Sequence, residues 1–228
     1  MSKTNKCDLK TCFLCHSCLP DWKQAIESSR KNIKIKRGQQ VFKEGDAVEG
    51  IYFVYSGKVK VHKKWDEEKE LIIRFAKRGD VLGHLGLGGS GYYPVSSTAI
   101  EDAVVCFISM DFLESTMNVN NQFVIRLMRF FAGELQDSEK RMSNLAHMSV
   151  KGRLAQALFA LKKQFGERND GFIDIELSRQ DLAAYTGASY ESLFRTINDL
   201  LSDGVIELSG KTIGIKNEAA FLELVAAS

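Results

Sequence analysis

The sequence predicts an α+β protein in which a β-rich part is followed by a long helix and then by a helix-turn-helix with a β-hairpin. Three observations support this fold class. Short apolar runs separated by glycines fill residues 31–110, an apolar repeat with steps of four and three runs from Val124 to Leu145, and a helix, glycine turn, helix pattern begins at Ser178. Each pattern has either the apolar spacing of the element that it predicts or the turn residues that separate such elements.

Composition is that of a folded protein with two modest domains. The chain has 228 residues, of which 44% are hydrophobic and 26% charged, and its formal net charge is +2. These values exclude wholesale disorder. No apolar run reaches the length of a membrane span, and the first residues lack the apolar stretch of a signal peptide. We therefore expect a cytoplasmic protein with no membrane partner.

The β-rich part is predicted from short runs of apolar and β-branched residues with turn glycines between them. Such strands at intervals of about 8 to 12 residues are typical of a sandwich, a barrel or a roll. The runs are residues 41–42, 51–55, 59–61 and 71–75, and the turns are Gly38, Gly45, Gly57 and Gly79.

The long helix is predicted from an apolar seam with heptad spacing. Steps of four and three alternate along it, which is the a/d pattern of a two-helix coiled coil and predicts a homodimer. The alternative is a helix packed on its own domain. The seam consists of Val124, Met128, Phe131, Leu135, Ser138, Met142 and Leu145. The flanking charged residues are expected on solvated faces; they are Arg126, Arg129, Glu134, Glu139, Lys140 and Arg141.

The helix-turn-helix is predicted from its capping residues. Ser178 and Asp181 form a capping-box start, Gly187 ends that helix, and Ser189 caps the next one. The second helix would bury Leu193, Ile197 and Leu200. Two short runs around Ser209 and Gly210 predict a hairpin, or wing, after it.

These elements in this order resemble the Crp/Fnr superfamily of bacterial transcription regulators. The resemblance rests on residues 37–59, on 79–83, and on 177–195 followed by 210–213. It implies a cyclic-nucleotide-binding-type β-roll (jelly roll), a dimerisation helix and a winged helix-turn-helix. The expected segments are an N-terminal arm at 1–20, the β-roll at 21–118, the dimerisation helix at 119–147 and the DNA-binding domain at 148–228.

The function that the resemblance implies is that of a homodimeric, sequence-specific regulator rather than an enzyme. Its expected partners are a palindromic site on double-stranded DNA, a second copy of itself, and RNA polymerase. Two rival readings are an enzyme of the cupin kind and a cyclic-nucleotide module without a DNA role. The four histidines lack the metal-ligand spacing that the first needs, and the helix-turn-helix argues against the second.

Two departures from the cyclic-AMP-binding members argue against cyclic AMP. The positions that hold a glutamate and a phosphate-gripping arginine in those members here hold His84 and the pair Pro94 and Val95. A cyclic phosphate needs a cation and convergent donors, which Pro and Val do not supply. Residues 89–94 are instead similar to the oxygen-sensing Fnr branch, where N-terminal cysteines and one from a late β-roll strand bind an iron-sulfur cluster. Cys106 matches that last position.

The cysteines near the start of the chain favour metal binding. They are spaced C-x4-C-x2-C-x2-C, and the inner three, Cys12, Cys15 and Cys18, have the spacing of [4Fe-4S] ligation with a fourth thiolate from elsewhere. We expect Cys106 as that ligand and Cys7 as an alternative. The alternatives are zinc, with His16 as a further ligand, and a cluster-free regulator with an unidentified small ligand, or none, in the β-roll. Two features depart from the pattern of the Fnr branch. The second gap between the cysteines is narrower, and Ser138 in the predicted dimer helix occupies the position where that branch has an acidic residue.

DNA reading is assigned to the second helix of the motif. Glu191 and Arg195 match the Glu-x3-Arg base readers of the family, and arginine can bind guanine O6 and N7 while glutamate accepts from cytosine N4. Tyr190 and Phe194 lie on the same predicted face, although Phe194 could also belong to the core. The expected phosphate contacts are Ser178, Arg179, Ser189 and Lys211. From residue 150 on, nine basic residues oppose eleven acidic ones, a net charge of −2, so specificity should rest on dimeric placement.

Overall fold

The β-roll consists of two antiparallel four-stranded sheets. The computed structural model describes residues 10–66 and 69–226. One sheet has the strand order β1-β8-β3-β6 and the other has β2-β7-β4-β5. The strands are β1 (Lys31–Ile35), β2 (Gln40–Phe42), β3 (Gly50–Ser56), β4 (Val59–Lys64), β5 (Glu70–Ala76), β6 (Val81–Leu82), β7 (Ser96–Ala99) and β8 (Ala103–Ser109).

Apolar side chains from both sheets form one core of the roll. Val54 and Val105 from the first sheet and Val59 and Val61 from the second are all buried in it. The turn between β3 and β4 requires glycine at residue 57. Its φ is +85°, and a Cβ there would lie 2.7 Å from the Cα of Ala103.

A second core forms where helices cover the first sheet. The helices are α1 (Phe13–Ser17), α2 (Trp22–Ser29), α3 (Met110–Val119) and the start of α4 (Asn121–His147), and a 3-10 turn spans His84–Gly88. Phe53 and Ile108 from the sheet meet Leu14, Leu113 and Phe123 from the helices. Cys12, Phe13, Leu14, Cys15 and Cys18 of the N-terminal arm are thus part of a packed core.

Asn120 separates α3 from α4, so α4 begins two residues after the predicted start at 119. The Asn120 side-chain amide donates to the Thr116 carbonyl at 2.9 Å, and its oxygen accepts from the Leu19 backbone N–H at 2.8 Å. A buried asparagine with both ends of its side chain bonded holds this break between the helices in place and ties the arm to it.

The C-terminal part is a winged helix-turn-helix. It contains α5 (Val150–Phe165), α6 (Arg179–Thr186), α7 (Tyr190–Ser202), a hairpin of β9 (Ile206–Ser209) and β10 (Thr212–Ile215), and α8 (Glu218–Ala226). The predicted α+β class is therefore confirmed. The chain divides into two compact units, one up to Glu134 and one from Leu135 onward, so the division falls inside α4. Among residues 10–66 and 69–226, no helix has the length and apolar character that a membrane span requires.

Candidate functional site

Local capping interactions place α6 and α7. The Ser178 hydroxyl accepts from the Asp181 N–H at 2.9 Å and donates to the Asp181 carboxylate at 2.6 Å. Gly187 ends α6 in the left-handed conformation, with φ of 64°. Ser189 then caps α7 by accepting from the Ser192 N–H at 3.2 Å. The predicted caps are confirmed, and only Ala188 lies between Gly187 and Ser189.

The face of α7 opposite its buried stripe is open to solvent. Leu193, Ile197 and Leu200 are buried as predicted. We call the exposed side the reading face; it consists of Tyr190, Glu191, Phe194, Arg195 and Asn198. Phe194 is 50% exposed, which excludes it from the core of its domain, and its ring stacks on that of Tyr190 at 6.3 Å between centroids. This face combines the guanidinium of Arg195, the carboxylate of Glu191 and the aromatic pair of Tyr190 and Phe194.

A groove beside the reading face is lined by cationic side chains. Arg179 and Lys211 border an open cavity of about 390 Å³ together with Tyr190 and Ser178. Arg179 donates from Nη2 to the Gly210 carbonyl at 3.3 Å, which links α6 to the wing. Burial lowers the pKa of Arg179 from its usual value, although arginine stays charged in proteins. The four predicted phosphate contacts remain predictions, and the hydroxyls of Ser178 and Ser189 are both engaged in caps.

Four cysteines lie in the second core. Cys12, Cys15, Cys18 and Cys106 are all buried free thiols in the same hydrophobic cluster. Cys12 from the arm and Cys106 from β8 line one small cavity with Phe53 and Gly79. Cys7 lies outside the described residues. The fold thus places all four cysteines in one core, and it brings Cys12 to Cys106 at one cavity.

Soft thiolates are the usual ligands of iron-sulfur clusters, so the chemistry of these four side chains suits such a cluster. Burial raises the pKa of the Cys18 thiol to about 11, and Cys12 adds to that effect. His16 is exposed on α1, whereas the four cysteines are buried. Within residues 10–66 and 69–226, no group of three or more histidine, cysteine, aspartate or glutamate side chains is arranged so that it could hold a metal ion.

His84 is enclosed by side chains of β5 and α4. His84 is buried, and its Nε2 lies 3.6 Å from Glu134 Oε2 on α4. Arg74 Nε lies 3.5 Å from the same oxygen, and the rings of Phe130 and Phe131 contact His84. Burial lowers the pKa of His84, partly offset by Glu134. The pKa of Glu134 is also lowered, because His84 and Arg74 outweigh the effect of burial.

These contacts correct the expectation that the charged residues flanking the seam are solvated. Arg129, Glu139 and Lys140 are exposed as predicted. Glu134 is half-buried beside His84 and Arg74. Arg126 donates to the Ser17 hydroxyl at 2.9 Å, with its guanidinium over the Phe13 ring. Arg141 donates to the Tyr185 carbonyl at 2.5 Å. Heptad spacing shows which residues of the helix lie off the seam. Whether their side chains are exposed to solvent depends on contacts with segments that are distant in the sequence.

Comparison with known proteins agrees with this architecture. Residues 32–120 match the cyclic nucleotide-binding domain family, and residues 152–224 match the Crp-like helix-turn-helix domain family. The structure of FixK2 from Bradyrhizobium japonicum superposes with a TM-score of 0.77 at 24% identity, covering 87% of this chain and 98% of that one. That likeness supports the fold.

Curated relatives extend the likeness to sequence, and they are regulators rather than enzymes. The fumarate and nitrate reduction regulatory protein of Escherichia coli (strain K12) is 28% identical over 194 residues, which are 83% of this chain and 76% of that protein. The anaerobic regulatory protein of Bacillus subtilis (strain 168) is 31% identical over 198 residues, which are 85% of this chain and 83% of that protein. Two family domains in the right order and a relative of this identity over most of both chains show that this chain belongs to the Crp/Fnr family of DNA-binding transcription regulators.

Proposed function

We propose that this regulator is a homodimer that reads a palindromic DNA site with α7 and responds to oxygen, nitric oxide or redox state through an iron-sulfur cluster. The observation that carries the sensing part is the burial of Cys12, Cys15, Cys18 and Cys106 in one hydrophobic cluster. Two relatives, named as an anaerobic regulatory protein and as a fumarate and nitrate reduction regulatory protein, support the same class of signal.

The proposed dimer rests on the exposed seam of α4. Met128, Leu135 and Met142 are 66%, 61% and 62% exposed, and Leu145 is 38% exposed. Apolar side chains at a and d positions that are open in one chain are buried when a second helix pairs with it. Ser138, also exposed, adds no charge to this seam.

The proposed DNA reading rests on the reading face. Arg195 and Glu191 are exposed one helical turn apart, as base-edge contacts in the major groove require. In a dimer, two such helices about one DNA turn apart would read the two halves of a palindrome.

The proposed cluster ligands are Cys12, Cys15, Cys18 and Cys106. A bound cluster supplies a redox- and gas-sensitive centre. Cys12, Cys15 and Cys18 lie in the arm and Cys106 lies in β8, so ligation by all four would hold the arm and the roll to each other. The signal must bind the DNA-competent and DNA-incompetent arrangements with different free energies.

The test of sensing is a visible spectrum of the full-length protein purified without air, with iron and acid-labile sulfide assayed on the same sample. We expect a brown chromophore with near-equal iron and sulfide that bleaches in air and is absent in Cys106→Ala. Cys7→Ala is the matched control and should keep the chromophore. A colourless, metal-free dimer that still binds DNA would rule out the cluster and support a cluster-free regulator, whereas zinc in the assay would support the zinc site.

The test of reading is selection of duplexes from a random-sequence pool by the full-length protein. We expect a palindromic sequence. Arg195→Ala should weaken its binding by about 1–3 kcal/mol per half-site and relax the base preference at one position, with dimerisation intact. Arg168→Ala is the control, because its guanidinium pairs with Asp170 at the surface. Unchanged base preference in Arg195→Ala would contradict the assignment.

A further inference from the structure

The carbonyls at the end of α6 are bonded by arginine side chains. The last carbonyls of a helix have no partner within it. The N–H groups of Gly187 and Ala188 both donate to the Ala183 carbonyl, which leaves the carbonyls of Tyr185, Thr186 and Gly187 for other donors. Only Ala188 separates these three residues from Ser189, the N-cap of α7.

Arg153, in the first turn of α5, joins two helix ends. Its Nε donates to the Thr186 carbonyl at 2.9 Å and its Nη2 to the Gly187 carbonyl at 3.4 Å. Its Nη1 donates to the Met148 carbonyl, just after α4, at 2.7 Å. A cation is favoured at the negative end of a helix dipole, and here one guanidinium serves two such ends.

Residues of α4 hold the same turn from the other side. Arg141 donates to the Tyr185 carbonyl, and its guanidinium lies 4.7 Å from the centroid of the Tyr185 ring. Leu145 packs against Gly187, where a Cβ would lie 2.4 Å from Leu145 Cδ2. The turn between α6 and α7 is therefore fixed to the last two turns of the predicted dimer helix.

We infer that Arg153 and Arg141 are positioning residues for DNA recognition. They set where the reading face stands relative to the seam of α4, and they act through the backbone of the turn rather than through contact with DNA. The arrangement requires arginine at residue 153, because the lysine ammonium is a single point of charge and cannot span carbonyls on two helices. This inference rests on the proposed reading role of α7.

The test compares Arg153→Lys, Arg153→Gln and the parent protein, all full length, on the duplex that the parent recovers from a random-sequence pool and on a shuffled duplex. For both variants we expect the Kd for the recovered duplex to rise by about tenfold, the size of one lost base contact. The Kd for the shuffled duplex and the slope of log Kd against log salt should stay at the parent values. Arg168→Lys is the matched control and should behave as the parent.

Each other outcome overturns the inference. If Arg153 instead contacted phosphate, Arg153→Lys would bind as the parent does. Arg153→Gln would then bind both duplexes more weakly, and the slope of log Kd against log salt would fall by about one. If its role were only structural, the thermal midpoint would fall and both duplexes would be bound less well. Arg141→Gln tests the contact from the α4 side should the Arg153 variants fail to fold, because it removes the cation from the Tyr185 carbonyl and ring. If the parent recovers no sequence, the proposed function fails; if it does and the variants bind that duplex equally well, this inference alone fails.

Discussion

At the scale of single residues, Glu70 shows how a half-buried charge can depend on its neighbours. Its carboxylate lies 2.5 Å from Lys60 Nζ and 2.8 Å from His62 Nδ1, and the other ring nitrogen of His62 lies 2.8 Å from the Thr98 hydroxyl. Burial alone would raise the pKa of Glu70, but His62 and Lys60 outweigh it and lower the pKa to about 2. The charged form is therefore the one that the folded β-roll favours.

The stability of the protein should consequently fall in acid through Glu70. Its folded pKa of about 2 is below the ordinary value of 4.5, so the stabilisation is present above pH 4.5 and is lost as the pH falls toward 2. Glu70→Gln should remove that pH dependence and cost about 1–3 kcal/mol at pH 7, since Lys60 and His62 lose a partner. Thermal unfolding from pH 7 to pH 2 measures both effects. Glu114→Gln, an exposed substitution on α3, is the control, and equal pH profiles for Glu70→Gln and the parent would contradict the prediction.

Residue contacts that are local in sequence could be predicted, and those between distant segments could not. The caps at Ser178 and Ser189 follow from residues three positions apart, and both are confirmed. The contacts of Glu134 with His84 and of Arg153 with Thr186 join segments more than thirty residues apart. No periodicity encodes such pairs, so the heptad pattern places Glu134 in solvent and gives no signal for Arg153.

At the scale of elements, the docking of the N-terminal arm depends on the turn before β6. The Phe13 N–H donates to the Gly79 carbonyl at 2.9 Å. Gly79 has φ of +95°, and a Cβ there would lie 2.5 Å from the Thr11 carbonyl oxygen. The arm can approach this closely only because residue 79 has no side chain.

Gly79→Ala should therefore loosen the arm and expose the thiols that it covers. We expect faster alkylation of Cys12 and Cys106 in the metal-free, reduced protein, followed by mass spectrometry. Gly45→Ala is a matched control, because Gly45 has a similar φ of +87° but nothing within 4 Å of a Cβ. Both variants share the cost of a left-handed alanine, about 1–2 kcal/mol. Equal alkylation rates in the two variants would show that the Thr11 contact does not hold the arm.

Elements with a strong apolar repeat or clear capping residues can be predicted from the sequence, whereas the short helix of the N-terminal arm cannot. The seam of α4 and the two helices of the motif were visible as apolar repeats, and the two runs of the wing flank Ser209 and Gly210 as expected. The short helix α1 has five residues, too few to show a repeat. Its position is fixed by burial of Phe13 and Leu14 against residues about a hundred positions later.

At the scale of the whole molecule, DNA affinity should depend on pairing. The residues from 150 on carry a net charge of −2, nine bases against eleven acids, so one copy should bind DNA weakly. Two copies on one duplex gain from the effective concentration that the dimer imposes. The exposed seam and the net negative charge of the DNA-binding part thus both favour a dimer as the form that binds DNA.

Leu135→Glu should give a monomer that no longer binds the recovered duplex at concentrations where the parent does. A charge at a 61% exposed seam position costs little in the monomer but would be desolvated in the dimer. Sedimentation and DNA binding on the same samples measure the two losses. Gln136→Glu, one position off the seam, should leave the dimer intact. A dimeric Leu135→Glu protein would contradict the assignment of the seam.

The contacts of the arm also set an order of events during synthesis. Leu19 bonds to Asn120 and Ser17 to Arg126, which are 101 and 109 residues later in the chain. At a translation rate of about 5–20 residues per second, the partners of the arm are made roughly 5–20 s after its cysteines. The thiols of Cys12, Cys15 and Cys18 thus leave the ribosome well before the segments that enclose them. In that interval they are open both to metal delivery and to oxidation.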